Sequence, residues 1–218
     1  MEKLKKYLSK TYLARLAIAI IGIGIIALAT SIFVLTNLGT DPYQVLCNAI
    51  HVRLLVTQGI ANMIMNGLII LFILIFFRKY INIAMFLSLF LSGVFIDLFI
   101  RLLESFINEN LSLYFRIALA FFACILLGLG VYLYTSPKLG ASPADSLGLI
   151  ISDLVKQPYS RVRIFTDITY ALLGFILGGR VGITSILSVL LTGPAIGLFG
   201  KLLKKSKLMR YIENENIY

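Results

Sequence analysis

Six stretches of this sequence are apolar for about the twenty residues that a helix needs to cross a bilayer core of about 30 Å. They run Leu13 to Thr36, Gln58 to Phe77, Ile81 to Leu103, Tyr114 to Thr135, Val162 to Gly178 and Val181 to Leu203. A water-soluble domain of 218 residues does not carry 59% hydrophobic residues, so the surplus must face lipid. A membrane barrel would show short alternating strands instead, which leaves an all-α polytopic protein. The first run is too long for a cleavable signal, and no small-residue cleavage site follows it; it reads as a retained helix.

The formal charge of +10 would point to nucleic acid in a soluble chain, but here the basic residues cluster at the ends of the spans. Charge reports topology first. With the amino terminus in the cytoplasm, Lys3, Lys5, Lys6, Lys10, Arg15, Arg78, Lys79, Lys138, Lys156, Arg161 and Arg163 fall inside, as do Lys201, Lys204, Lys205, Lys207 and Arg210. Only Arg53, Arg101, Arg116 and Arg180 fall outside, so the positive-inside rule puts both termini in the cytoplasm. The expected organisation is a basic terminus over 1–12, a first unit over 13–103, an extracellular linker over 104–113, a second unit over 114–203 and a cytoplasmic tail over 204–218.

The two units are related. Residues 15–50 match 116–151, placing Arg15 on Arg116, Leu38 on Leu139, Gly39 on Gly140, Pro42 on Pro143 and Leu46 on Leu147. After a one-residue shift near Lys79, Ser88 falls on Ser188, Gly93 on Gly193, Leu98 on Leu198 and Phe99 on Phe199. Shared apolar letters carry little weight, but the L-G-x-x-P corner in both copies carries much. A unit of three spans is odd, so the second copy must enter the membrane upside down. Inverted three-helix repeats recur in secondary transporters, where the halves rock about a central site. A duplication kept only for stability is the alternative.

Each corner leads into a segment too short and too polar to span, Pro42 to Leu55 and Pro143 to Lys156. Asp41 and Ser142 can cap these helices, proline opens each without losing a hydrogen bond, and Gln44 and Asp145 take the third position of a capping-box-like arrangement. Gly39 and Gly140 permit the sharp turns before them. Val45, Leu46, Ala49 and Ile50 form one face of the first helix, with Gln44, Asn48 and His51 on the other; Leu147, Ile150, Ile151 and Leu154 oppose Asp145 and Ser152 in the second. Such helices either dip into the protein, offering amino ends that suit an anionic substrate group, or lie at the interface as amphipathic anchors.

Polar groups at membrane depth mark pathways. Arg163 and Asp167 sit four apart on span five, and their repeat mates on span two are Asn62 and Asn66. These four residues, with Asp41, Gln44, Ser142 and Asp145, are the candidate substrate site. The competing reading has Arg163 snorkelling to the interface and the asparagines bonding to neighbouring helices. Asp97, deep in span three, is a candidate for a coupling ion, or a structural partner of Arg101. Tyr12, Tyr132, Tyr134 and Tyr170 read as interfacial anchors or packing. Gly22, Gly24, Gly128, Gly130, Gly174, Gly193 and Gly197 would let helices approach closely. Cys47, Cys124 and His51 lack metal-ligand spacing, and no nucleotide, triad or metal motif is present, so neither enzyme chemistry nor a cofactor is expected.

LGASPADSLGLI, SRVRIFTD and LLGFILGGRVGITSILSVLLTGPAIGLF, with LGTDPYQVL and GVFIDLF in the first half, resemble the YczE/YyaS/YitT-type family of small bacterial membrane proteins. The resemblance covers nearly the whole chain apart from its termini. It implies a multi-pass protein of the bacterial cell membrane and an acidic residue one turn after an arginine in span five, here Asp167 after Arg163. Some members resemble partners of regulators that depend on pyridoxal phosphate, which implies vitamin or amine-related cargo. The expected function is a secondary transporter of a small polar metabolite, with lipid and that metabolite as partners, no nucleic acid, and small-residue faces that would permit a homodimer. The alternatives are a substrate-binding subunit of a multicomponent vitamin importer and a non-transporting membrane accessory or regulator.

Overall fold

The computed structural model describes residues 10–203; the outermost basic residues used for topology, Lys3, Lys5, Lys6, Lys204, Lys205, Lys207 and Arg210, lie outside that range, as do most of the two terminal segments. Eight α-helices cover the described residues: α1 Lys10–Thr36, α2 Pro42–Leu54, α3 Gln58–Phe76, α4 Ile83–Leu103, α5 Leu113–Thr135, α6 Pro143–Val155, α7 Tyr159–Ile176 and α8 Ile183–Leu203. A 3-10 turn, Arg78–Tyr80, joins α3 to α4. The order long, short, long, long therefore occurs twice.

The corners repeat in backbone detail. Asn37, Gly39 and Leu55 have positive φ, and so do their mates Lys138, Gly140 and Lys156. Gly39 and Gly140, at φ of 100° and 125°, hold values that a side chain disfavours. The expected caps form: Asp41 accepts from the Gln44 amide at 3.3 Å, Ser142 Oγ from the Asp145 amide at 3.1 Å, and proline opens both short helices. Further side-chain caps come from Thr57, Asn82 and Ser112. Asn82 is why α4 starts at Ile83, two residues later than the hydropathy pattern predicts.

Helices α1 and α5, equivalent in sequence, pack against each other along their length. They run antiparallel. Arg116 Nε, in the first turn of α5, donates to Thr36 O at the last turn of α1 at 2.7 Å. Ala29 and Ala123 share a core cluster further along, and Gly22 lies against Gly130 and Tyr134 beyond that. A Cβ added to Gly22 would sit 2.5 Å from Tyr134 N, so the crossing depends on that glycine. The 23-residue helix α5 is about 35 Å long, so the corner at Gly39 and its mate at Gly140 lie at opposite ends of it.

The loops sort accordingly. Asn37 donates to Glu109 Oε1 at 2.5 Å and accepts from Arg180 Nη1 at 2.5 Å, gathering the first corner, the α4–α5 connection and the α7–α8 loop. At the other end Gly140 lies against Asn82, and Tyr80 donates to Asp153.

Large apolar side chains are exposed around the perimeter, among them Leu68, Phe90, Phe165, Ile168, Phe175, Ile186 and Leu190. Water would not tolerate that surface, but lipid does. Among the described residues five helices are long and apolar enough to cross a membrane: the segments Thr11–Thr36, Gln58–Phe76, Ile83–Leu103, Leu113–Thr135 and Ile183–Leu203. The remaining expected span corresponds to α7, which has 18 residues and carries Arg161, Arg163 and Asp167. Its outer face is as apolar as its neighbours', with Phe165, Ile168, Leu172 and Phe175 exposed. Arg163 and Asp167 lie on the opposite face, whereas Arg161, in the first turn, is exposed on the outer face and donates to Gln157 Oε1 at 3.2 Å.

The short helices are not floating anchors. Pro42, Gln44, Val45, Leu46, Cys47, Asn48 and Ala49 of α2 are buried, as are Pro143, Ser146, Gly148 and Ile150 of α6. Helix α2 packs on α3 and α7, with Gly174 of α7 so close to Val45 that a Cβ would stand 2.7 Å from backbone.

Candidate functional site

A cavity of about 360 Å³ lies at the centre, lined by residues of all the long helices and by the first turns of both short ones. Its lining includes Asp41, Gln44, Asn62, Asn66, Ser142, Asp145, Arg163 and Asp167, the whole set of substrate-site candidates read from the sequence. The two short helices bring their amino ends to it because the glycine corners reverse the chain immediately before Asp41 and Ser142.

Its second-half wall is charged. Arg163 lies 3.5 Å from Asp145 and 3.9 Å from Asp167, so one guanidinium joins the start of α6 to α7. Asp145 also accepts from Tyr159 Oη and Ser142 Oγ, both at 2.9 Å. The Arg163 side chain is 35% exposed, toward the cavity that it lines, which does not support the snorkelling alternative. Ion pairs this solvated are worth about 1 kcal/mol at most. The network contributes little to holding the fold together.

The first-half wall, apart from Asp41, is neutral. Asn66 Nδ2 donates to Asn62 Oδ1 at 2.9 Å, Ser92 Oγ donates to the same oxygen at 2.7 Å, and Tyr43 Oη donates to Asn66 Oδ1 at 2.6 Å. Beside it Asn48 Nδ2 donates to Gln58 Oε1 and Gln58 Nε2 to Gln44 Oε1, at 3.2 and 3.1 Å. Asn62, Asn66, Gln44, Asn48 and Gln58 are all buried. These amides hold one another, as the alternative of interhelical bonding described, and Gln44, Asn62 and Asn66 also line the cavity.

Three further features were missed in the sequence. Thr30 and Thr192 are buried, line the cavity, and have hydroxyls without a hydrogen-bond partner. Single threonines in apolar spans give no signal until their neighbours are known. Asp41, expected as a cap and a substrate-site residue, lies at the cavity, but its shifted protonation was not foreseen: burial pushes its carboxyl from the usual carboxylate range up to about 7. Tyr43 and Tyr159 line the cavity too, each in the first two residues of a helix that starts there.

Several expectations need correction. Asp97 does not line the cavity and does not pair with Arg101; it accepts from Thr57 Oγ1 at 2.5 Å and from the Gly59 amide at 2.8 Å, tying α4 to the start of α3. Of the two roles expected for Tyr170, anchor or packing, it has the second, and beyond it: it is buried, meets Tyr43 edge to face with ring centroids 5.6 Å apart, and lines the cavity. Tyr134 is buried and donates to Ala84 O at 2.9 Å. Gly22, Gly128, Gly130 and Gly174 mark close contacts as expected, Gly24 meets only ordinary packing, and Gly193 and Gly197 face open space.

Comparison with known proteins matches residues 13–201 to a family described as "Family of unknown function (DUF6198)". The chain is 27% identical to the uncharacterized protein YyaS of Bacillus subtilis (strain 168) over 87% of its own length and 94% of that protein's. It is 32% identical to the uncharacterized membrane protein YczE of the same organism over 72% of its length and 71% of that protein's. An uncharacterized protein of Haemophilus influenzae shares 26% identity over 84% and 82%. No solved structure matches the chain.

Proposed function

We propose, for a chain that belongs to the family of unknown function DUF6198, that it is a secondary transporter of a small polar metabolite, working by alternating access between two inverted halves. The supporting observation is the central cavity, walled by equivalent elements of both halves and entered by the capped ends of both short helices. A volume of about 360 Å³ suits a metabolite rather than a lone ion. The antiparallel packing of α1 on α5 is what inversion of the second copy requires. On this reading α7 crosses the membrane as the sixth span, with Arg163 and Asp167 tolerated because they line the cavity and Arg161 because it sits in the first turn, at the helix end.

A non-transporting accessory protein would be expected to have a dry core between the halves, so the polar cavity favours transport. Antiparallel equivalents likewise favour a transporter over a vitamin-importer subunit. The chain is then no enzyme and sits in the cell membrane with both termini in the cytoplasm. Proteoliposomes holding the purified protein, loaded with cationic, anionic and zwitterionic metabolites in turn, should show saturable counterflow of at least one class. Absence of counterflow for all three would sink the reading.

A further inference from the structure

The cavity has a charge balance that its helix ends do not predict. Three carboxylates line it, Asp41, Asp145 and Asp167, against a single cation, Arg163. That guanidinium already faces two of them. The positive ends of α2 and α6, which would otherwise attract an anion, are met by Asp41 and by Ser142 with Asp145. An anionic group entering here would meet unbalanced negative charge and few free donors. A cation would not.

Two observations independent of charge indicate that the site is completed by a ligand. The Thr30 and Thr192 hydroxyls, at 0% and 8% exposure, have no partner in the protein although both line the cavity. Tyr43, Tyr159 and Tyr170 also line it, and their hydroxyls are committed to Asn66, Asp145 and Ala144 O, so what they offer an occupant is ring surface. Ring faces attract organic cations. Among the described residues no three acidic, imidazole or thiol groups converge as ligands of a metal ion.

We propose that the occupant is a small organic cation, a protonated amine or a guanidinium compound, whose charge is met by Asp167 and Asp41 and whose polar hydrogens are accepted by Thr30 and Thr192. This rests on the transporter reading for its biological use, while the binding site itself stands on the residues above. The ammonium or guanidinium head takes the negative charge that Arg163 leaves unbalanced. Any attached carbon skeleton lies against the tyrosine rings.

The test uses the full-length protein in lipid nanodiscs, with methylammonium, guanidinium and tetramethylammonium chlorides as probes at constant ionic strength. Acetate and inorganic phosphate as sodium salts serve as comparisons. At least one organic cation should raise the unfolding midpoint saturably, and neither anion should. The midpoint concentration should rise by about tenfold or more in Asp167→Asn and several-fold in Thr192→Val, as loss of a charge-assisted and of a neutral hydrogen bond predicts. Asp41→Asn, which keeps a capping side chain, should weaken binding likewise, and an unfolding midpoint without ligand close to the wild type's in each variant excludes misfolding as the cause. No shift with any organic cation, or a shift with the anions alone, overturns the assignment. Counterflow separates the two claims: a cation that binds but is not carried sinks transport and leaves the site, whereas anions carried without cation binding sink this inference and leave the transporter.

Discussion

Helices α3 and α4 of the first half are packed tightly, and their mates α7 and α8 in the second scarcely touch. Gly59 and Gly93 bring the first pair together so closely that a Cβ on Gly59 would stand 2.1 Å from Gly93 O. The equivalent residues are Ser160 and Gly193. Both line the cavity, and Gly193 has nothing within 4 Å of where its Cβ would be. Asp97 staples the closed pair by capping α3, and its mate Gly197 staples nothing. Pro194 follows Gly193 inside α8 and interrupts the helix's hydrogen bonding beside the gap. On the transporter proposal, related halves in unequal arrangements are what one state of an alternating-access cycle would show. On that proposal the cavity then opens toward the end of the molecule where α7 begins, the end expected from the charge distribution to be cytoplasmic.

The largest effect should come from filling the two glycines. Gly93→Leu would drive a side chain into Gly59 O and Met63 and should abolish recovery of folded protein. Gly193→Leu should fold normally yet hold α7 and α8 apart and stop counterflow. Detergent size-exclusion profiles and counterflow rates read both, and loss of fold in both variants would remove the asymmetry.

Next comes the contrast between the walls. Asn66→Ala removes a partner of Asn62, Tyr43 and Ser92 and should cost about 1–3 kcal/mol in unfolding free energy. Asp167→Asn, from a solvated pair, should cost less than about 1 kcal/mol and yet damage ligand binding. The reverse order would mean that the charged wall is the structural one.

A smaller effect is pH dependence. Asp41 shares its surroundings with Tyr43 and Cys47 of its own helix, Asp167 and Tyr170 of α7, and the Asp145–Arg163 pair across the cavity. Because burial raises its carboxyl to about 7, the folded state holds the proton more tightly than the unfolded chain does. Its contribution to stability is therefore full below the ordinary carboxylate range and is lost as pH rises through about 7. Cation binding should run the other way, strengthening from pH 6 to 8 as Asp41 ionises, and Asp41→Asn should flatten both profiles. Smallest of all, Gly193→Ala should change the unfolding free energy by less than about 1 kcal/mol, whereas Gly93→Ala should be clearly destabilising.

Much of this was legible in advance because membrane depth makes polar letters expensive and therefore conspicuous. Asn62, Asn66, Arg163 and Asp167 stood out against apolar spans, and the repeated L-G-x-x-P corners located Asp41 and Ser142. Thr30 and Thr192 did not, since threonine is cheap in a helix and only the third dimension shows that its hydroxyl lacks a partner. Asp97 was conspicuous for the right physical reason but serves a helix end instead of the cavity. Gly193 was misread because a small residue permits contact without requiring it. The charge proposed for the occupant was hidden as well: helix ends suggested an anion, and only the structure gathers Asp41, Asp145 and Asp167 around the single cation Arg163.

A cysteine pair at Ser160 and Gly193 tests the central claim most directly, since the native Cys47 and Cys124 are buried. A disulfide needs Cα atoms within about 7 Å. The account predicts that the pair crosslinks while the protein turns over, that crosslinking stops counterflow, and that reduction restores it. A pair that never crosslinks during turnover, or that crosslinks without slowing counterflow, would contradict the closing of α7 on α8 and with it alternating access.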